Sequence, residues 1–483
     1  MTHWYKKLSI CSLFLYCLCI SCIEKDLYEP NEGDGVGTEY VNYLYPYAKE
    51  GSNMVAEITI ETDSEMDEES VLTEIPTLKY NKSWLFMLTQ DDHRHSAYST
   101  TWAAINGKPL SRNYYYHTEQ LAAEYLPPDA FSLNKTLGST DGAGNEVRFA
   151  FTTTLYAEET PDNRISMYLK PDFSVFRQDD VQLTWNNLSE MLAYDTGIAF
   201  HDVNTNAVNQ KDSLVKHFKI AQEIILDKLW GRGVKVLAEP NGNHIYLEAG
   251  KEYDPIQVMT AQNTKAGGLP VERHYPYSVE TDLSKTILQR TFYNSVSDIP
   301  AHIENELKKE KEEREAIHVG MHSTGMTFVE LLHWLNNEYG KDGDDSVWFP
   351  SLEEYYEYNY YRVNASIDKE VNGKTVKLRV SLPSEQYFYY PSITLNLTGI
   401  NYEEISEISS GSSVTGLSYA PYEEGIMLNI DCRKFLVKHA EHFVKKYTGS
   451  PTESNKRDAV YFVKKLKDSP VKEELGKKIP GYK

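Results

Sequence analysis

Leu85-Phe86-Met87-Leu88-Thr89-Gln90-Asp91-Asp92-His93-Arg94-His95 carries an apolar run straight into two adjacent carboxylates and two histidines. The apolar half reads as a strand, and the acids and imidazoles then stand at its C-terminal end. Where strands alternate with helices, that end is the rim on which barrels and doubly wound sheets build their active sites.

Outward from this stretch the same texture repeats. Strands are expected at Trp84 to Gln90, Val147 to Leu155, Gly197 to His201, Val234 to Ala238, Ile256 to Ala261, Thr286 to Phe292 and Ala316 to His322. Apolar residues at three and four spacing predict helices between several of them, most clearly Ser213 to Trp230, Ile299 to Arg314 and Thr327 to Tyr339. Alternating strands and helices imply an α/β core with a parallel sheet. After Arg362 the pattern changes to short alternating runs such as Thr375 to Val380 and Ser392 to Leu397, with Asn372-Gly373 as a hairpin turn. These predict a small β-sandwich, and amphipathic helices follow at Arg433 to Tyr447 and Arg457 to Leu466. The aromatic run Tyr387 to Tyr390 is either a sugar-stacking surface or filling for the sandwich core.

Three more strand ends carry chemistry. Gly197-Ile198-Ala199-Phe200-His201-Asp202 ends in an imidazole. Val236-Leu237-Ala238-Glu239-Pro240-Asn241-Gly242 runs into an acid and a tight turn. In Ala316-Ile317-His318-Val319-Gly320-Met321-His322, alternation puts His318, Gly320 and His322 on one side, with His322 at the end.

Taken in order, these segments resemble the motifs of the polysaccharide deacetylases, the family-four carbohydrate esterases. The resemblance covers roughly residues 78 to 362. It implies a distorted, incompletely closed (β/α) barrel of about seven strands, and a hydrolase that removes acyl groups from a glycan through water activated by a divalent metal, zinc or similar. By position it makes Asp91 the general base, Asp92 and His201 metal ligands, and His322 the general acid. The second imidazole of the family's metal motif falls on Thr205, a poor ligand. Either His93 or His95 supplies the missing nitrogen, or the ion is held weakly with extra water, or the site is dead. The family's third-motif arginine is replaced by an acid, Glu239, or is absent. Glu239, Asn241 and Trp348 are candidates for contact with the sugar, although Trp348 is as readily a helix-packing indole. A catalytically silent glycan-binding protein on the same fold is the alternative, and a glycoside hydrolase a further one.

Residues 1 to 22 read as a lipoprotein signal: Lys6 and Lys7 precede the apolar run Leu8 to Ile20, which is short for a membrane span. Cys19-Ile20-Ser21-Cys22 resembles a bacterial lipobox, which implies acylation at Cys22, a lipid anchor in the outer membrane and exposure at the cell surface. Residues 23 to 77 then read as a tether with irregular β-structure, 78 to 362 as the barrel, 363 to 432 as the sandwich and 433 to 483 as terminal helices. Four of the five cysteines lie in the leader, so Cys432 alone remains in the body and no internal disulfide is possible there. The formal charge is −22, which argues against nucleic acid or an anionic membrane surface as partner. A carbohydrate fits better, and 36 tyrosines against 16 phenylalanines offer flat faces with hydroxyls for stacking sugars.

Overall fold

Seven parallel strands wind into a nearly closed barrel in the computed structural model, which describes residues 53–160, 182–203, 210–262 and 268–482. They are β1 (Trp84–Gln90), β2 (Thr152–Leu155), β3 (Gly197–Phe200), β4 (Val236–Ala238), β5 (Val258–Ala261), β6 (Ile287–Gln289) and β7 (Ile317–Met321). Their order is β6-β5-β4-β3-β2-β1-β7. A parallel bridge between Thr291, just past β6, and Val319 of β7 draws the two edges together. Each lies within a segment expected from the sequence, and the expected helices appear as Lys211–Lys228, Asp298–Leu307 and Met326–Glu338. The second of these stops seven residues before Arg314, after which Lys311–Glu313 forms a single 3-10 turn.

All seven residues of β1 are buried, as a central parallel strand requires, because helices cover one face and the barrel interior the other. Phe86 and Leu88 pack with the surrounding helices. Leu85 and Met87 point the other way, into a second core shared with Ala199, Val236 and Val258. That second core continues into the helix Leu352–Asn364 and the antiparallel sheets.

Two four-stranded antiparallel sheets form the sandwich, and both recruit strands from the N-terminal side of the barrel. Met54–Thr62 lies between Thr375–Leu382 and Ile405–Ser410, with Ile58 opposite Leu378. Leu72–Glu74 is an edge strand beside Ser392–Thr398. The β-structure expected between residues 53 and 77 is two strands of the sandwich, the first held by a ladder that closes a loop of over three hundred residues. Alternation in Met54–Thr62 puts Ala56, Ile58 and Ile60 into the shared core, and that burial offsets the entropy of so long a closure. The expected hairpin is present, with Asn372 opposite Thr375 and Gly373 at φ 60°.

The aromatic run Tyr387 to Tyr390 belongs to the core rather than to a sugar surface. The backbone N–H groups of Tyr389 and Tyr390 donate to Glu357, and the Tyr389 ring lies 3.9 Å from the Arg232 guanidinium. Beside it Arg232 and Lys235 pair with Glu353, and Lys235 reaches Glu357 at 2.7 Å, all four fully buried. Glu353 also accepts from the N–H of Ile198 at the start of β3, so this network fastens Leu352–Asn364 against the N-terminal end of the barrel. The terminal helices are Leu436–Gly449, Glu453–Lys464 and Pro470–Lys477. Asp458 ties the second of them to the barrel through Lys108, Arg148 (2.8 Å) and the Tyr194 hydroxyl (2.8 Å).

Candidate active site

The C-terminal ends of β1, β3, β4, β6 and β7 bring Asp91, Asp92, His201, Glu239, Arg290 and His322 to one rim. Asp91 is sealed in, 1 % exposed, and its N–H donates to the carbonyl of Met321 at the end of β7. Its Oδ2 accepts from Arg290 Nη2 at 2.8 Å. Arg290, itself fully buried, also donates to the carbonyls of Glu239 (2.7 Å) and Thr260 (2.6 Å). One guanidinium thus joins the ends of β1, β4, β5 and β6, a task suited to its planar fork of donors. Asp91 Oδ1 is buried and takes no hydrogen bond within the protein.

Strand β1 ends abruptly because Asp92 (φ 61°) and His93 (φ 53°) are both left-handed. Two such non-glycine residues in succession cost roughly 1–3 kcal/mol each, and strain of this kind gathers at functional sites. The turn swings Asp92 toward His201, with Oδ1 3.5 Å from Nε2, while Arg94 approaches Oδ2 at 3.3 Å. His201 Nδ1 donates to the Ala238 carbonyl at 2.9 Å, which fixes the tautomer and aims Nε2 at Asp92. The hydrogen bond with His201 pulls the Asp92 carboxyl down to about 2. Burial alone would lower His201, but the charge of Asp91 and the bond to Asp92 outweigh it and the imidazole is raised. Asp202, next in the chain, is raised mainly by burial, with Asp92 and Asp91 adding to the shift.

Glu239 is fully buried and pairs with His244 Nδ1 at 2.5 Å, leaving Oε2 without a partner. Its carboxylate is turned to His244 and not to open rim, whereas Asn241 is exposed in a left-handed turn with Gly242. His322 is exposed at the end of β7, its ring 5.0 Å from that of Phe292, and close enough to Asp92 to act on its charge. His318 lies four residues deeper, buried, with Nε2 2.9 Å from the Thr89 hydroxyl.

Several expected site residues lie elsewhere. His93 directs Nε2 to the Leu183 carbonyl (2.9 Å) and Nδ1 to the Thr154 carbonyl (3.4 Å), and burial lowers it to about 4. His95 is fully buried against His117 (3.2 Å) and Ser99 (3.2 Å) and stacks on Tyr115. Neither ring is turned to Asp92, because the left-handed turn at Asp92 and His93 carries the chain away from the rim. Trp348 is 1 % exposed and packs edge-on against Tyr355 and Tyr358, so it is a core indole and lines no subsite. Thr205 and Cys22 lie outside the described residues. The residue missed altogether is Arg290. Its signal was a cation closing the expected strand Thr286 to Phe292, the same strand-end position that singled out Asp91 and His322.

Two donors bound to one zinc-like ion at ~2.0–2.2 Å stand roughly 3.4 Å apart in tetrahedral geometry, so Asp92 Oδ1 and His201 Nε2 at 3.5 Å suit a shared cation. Among the described residues no group of three His, Cys, Asp or Glu side chains is placed to hold one. The described residues fit a cation held by two protein donors with open positions, and not a three-ligand set.

Among known families, one described as "putative polysaccharide deacetylase" has a model that matches residues 56–480. No curated protein matches the chain.

Proposed function

Because the chain belongs to this polysaccharide deacetylase family, whose model spans barrel, sandwich and terminal helices alike, we propose that it is a hydrolase that removes acyl groups from a glycan at the barrel rim. The observation that carries this reading is the held carboxylate. Arg290 fixes Asp91 through Oδ2 and leaves its buried Oδ1 as an unengaged acceptor, while the Asp91 charge acts on His201 of the Asp92–His201 pair. That is the placement a general base needs toward water.

In this reading Asp91 accepts the proton of the attacking water through Oδ1, and Arg290 keeps the carboxylate from rotating as it does so. Asp92 and His201 are the side chains that would hold a divalent cation, which supplies Lewis-acid polarisation of the acyl carbonyl and acidifies water. His322, exposed across the rim, protonates the departing sugar amine or hydroxyl. Phe292 supports its ring. Asn241, exposed in its turn, is placed to meet the sugar.

Elemental analysis of the purified protein, together with acetate release from acetylated glycans, tests the assignment. We expect about one divalent ion per chain and its loss in Asp92→Ala/His201→Ala, with acetate release reduced at least a hundredfold. A metal-free wild type that binds glycan but releases no acyl group would overturn the hydrolase in favour of a silent binding protein.

The same proposal places the protein on the outer membrane, anchored through acylated Cys22 and facing outward, since the apolar run from Leu8 ends in Ser21-Cys22. Two or three acyl chains anchor stably where one would not. Cys22→Ser is expected to move the protein from the membrane to the soluble fraction of cells. Unchanged membrane retention and processing would rule the anchor out.

A further inference from the structure

A groove of about 420 Å³ runs between the terminal helix Glu453–Lys464 and the hairpin whose strands are Gly138–Thr140 and Glu146–Arg148. It lies at the opposite end of the barrel from Asp91. Its hairpin wall is tied to Asp345 by the N–H of Thr140 (2.7 Å), and Asp345 pairs with Lys82 (2.7 Å), just ahead of Trp84, the first residue of β1. Seven residues of strand at ~3.3 Å each separate that level from the catalytic rim.

The groove reverses the sign of an otherwise acidic molecule. Positions 456, 457, 460, 461 and 464 fall on one face of the helix at three and four spacing, and put Lys456, Arg457 and Lys464 along one wall. Lys341 faces them but is neutralised by Glu146, and Lys465 is held by Asp195 at 2.7 Å. Glu453, at the helix start, is the other acid of the lining. Lys456 and Lys464 are half-buried, and neither side chain has a hydrogen-bonding or acidic partner among the described residues. Arg457 donates Nη2 to the Gly107 carbonyl while its buried Nε has no partner. With no acid of the described residues engaging them, the Lys456 and Lys464 ammonium groups are available to an external anion. At physiological salt the Debye length is about 8 Å, so an approaching anion responds to these near charges more than to the distant net negative charge.

We infer that this groove is a second binding site, separate from the rim, for an acidic polysaccharide bearing carboxylate or sulfate groups. Lys456 and Lys464 stand about 12 Å apart along the helix. A row of cations suits a chain with repeated charges better than one inorganic anion. The volume is in the ~300–1,000 Å³ range of small-ligand sites, enough for a short run of sugar residues. A single-stranded nucleic acid would need aromatic faces for its bases. The groove's one aromatic, Tyr461, has its ring occupied by Arg148 at 4.1 Å and Lys465 at 4.4 Å. The inference takes its sugar chemistry from the proposed function and extends it to how the polymer is held.

Affinity electrophoresis of the full chain in gels containing heparin, polygalacturonate or neutral dextran tests it. Retardation is expected with an acidic glycan and not with dextran, weakening as salt rises, with heparin and polygalacturonate telling sulfate from carboxylate recognition. Lys456→Ala/Lys464→Ala should weaken it at least tenfold, with circular dichroism unchanged, whereas Lys477→Ala on the last helix should not. Retardation by neither acidic glycan, an undiminished double variant, or equal retention by a DNA oligonucleotide would overturn the site. Asp91→Asn should bind as wild type does. Acetate release without acidic-glycan binding sinks the groove alone, and binding without acetate release sinks the hydrolase alone.

Discussion

Arg290→Met should lower stability more than any other single change at the rim, and lower acyl release with it. The guanidinium donates to Asp91, Glu239 and Thr260 from a fully buried position. Methionine of similar length leaves the Asp91 carboxylate buried and unpaired, and breaking a buried pair from one side costs about 3–5 kcal/mol. Removing both charges costs less, since the penalty lies mostly in the orphaned ion. Asp91→Asn/Arg290→Met is therefore expected to be more stable than Arg290→Met alone, while acyl release stays lost because no base remains. Denaturant unfolding of the two single variants and the double one gives the coupling energy. A coupling near zero would mean that Arg290 does not hold Asp91 and would remove the main support for Asp91 as base.

Arg290 also marks the limit of what the sequence could disclose. The seven strands were legible because each is a short apolar run closed by polar residues, and a parallel barrel must gather such ends on one rim. Asp91, Asp92, His201 and His322 are singled out as candidates by that rule together with the order of the family's motifs. An arginine expected just after β4 was sought there, at Glu239, yet the cation that touches Asp91 sits after β6. A long side chain can reach a site from two strands away, so the order of motifs along the chain does not fix which strand supplies the cation. His93 and His95 failed as ligands for a backbone reason. Successive positive φ values at Asp92 and His93 redirect the side chains that follow, and nothing in Asp-Asp-His-Arg-His announces the turn. The strand Met54–Thr62 shows its alternation openly, but not that its partners lie beyond residue 374.

Acid should unfold the protein well before its carboxylates titrate. His274, His318 and His439 are each about 5 % exposed, and burial lowers all three to about 3 from the ordinary 6.5, with Arg290 and the nearby His274 adding to the shift of His318. His439 donates Nε2–H to the Ala193 carbonyl at 2.8 Å as a neutral ring, packed edge-on against Phe443 and Phe462. His274 meets the Tyr355 hydroxyl. Because the folded pKa is the lower one, the unfolded chain binds these protons first. The contribution is intact above pH 6.5 and is lost progressively as pH falls toward 3. Each group removes about 1.4 kcal/mol per pH unit in that window. By pH 5 the three together amount to roughly 6 kcal/mol, within the lower part of the ~5–15 kcal/mol that holds a domain folded. His201 works in the other direction, since its raised folded pKa adds stability below 6.5, but one group cannot offset three. Denaturant midpoints measured from pH 7.5 to 4.5 should fall steeply below 6.5, with uptake of at least three protons on unfolding at pH 5. A flat profile across that range, or no proton uptake, would show that these imidazoles are charged inside the fold and that the packing around them is not as described.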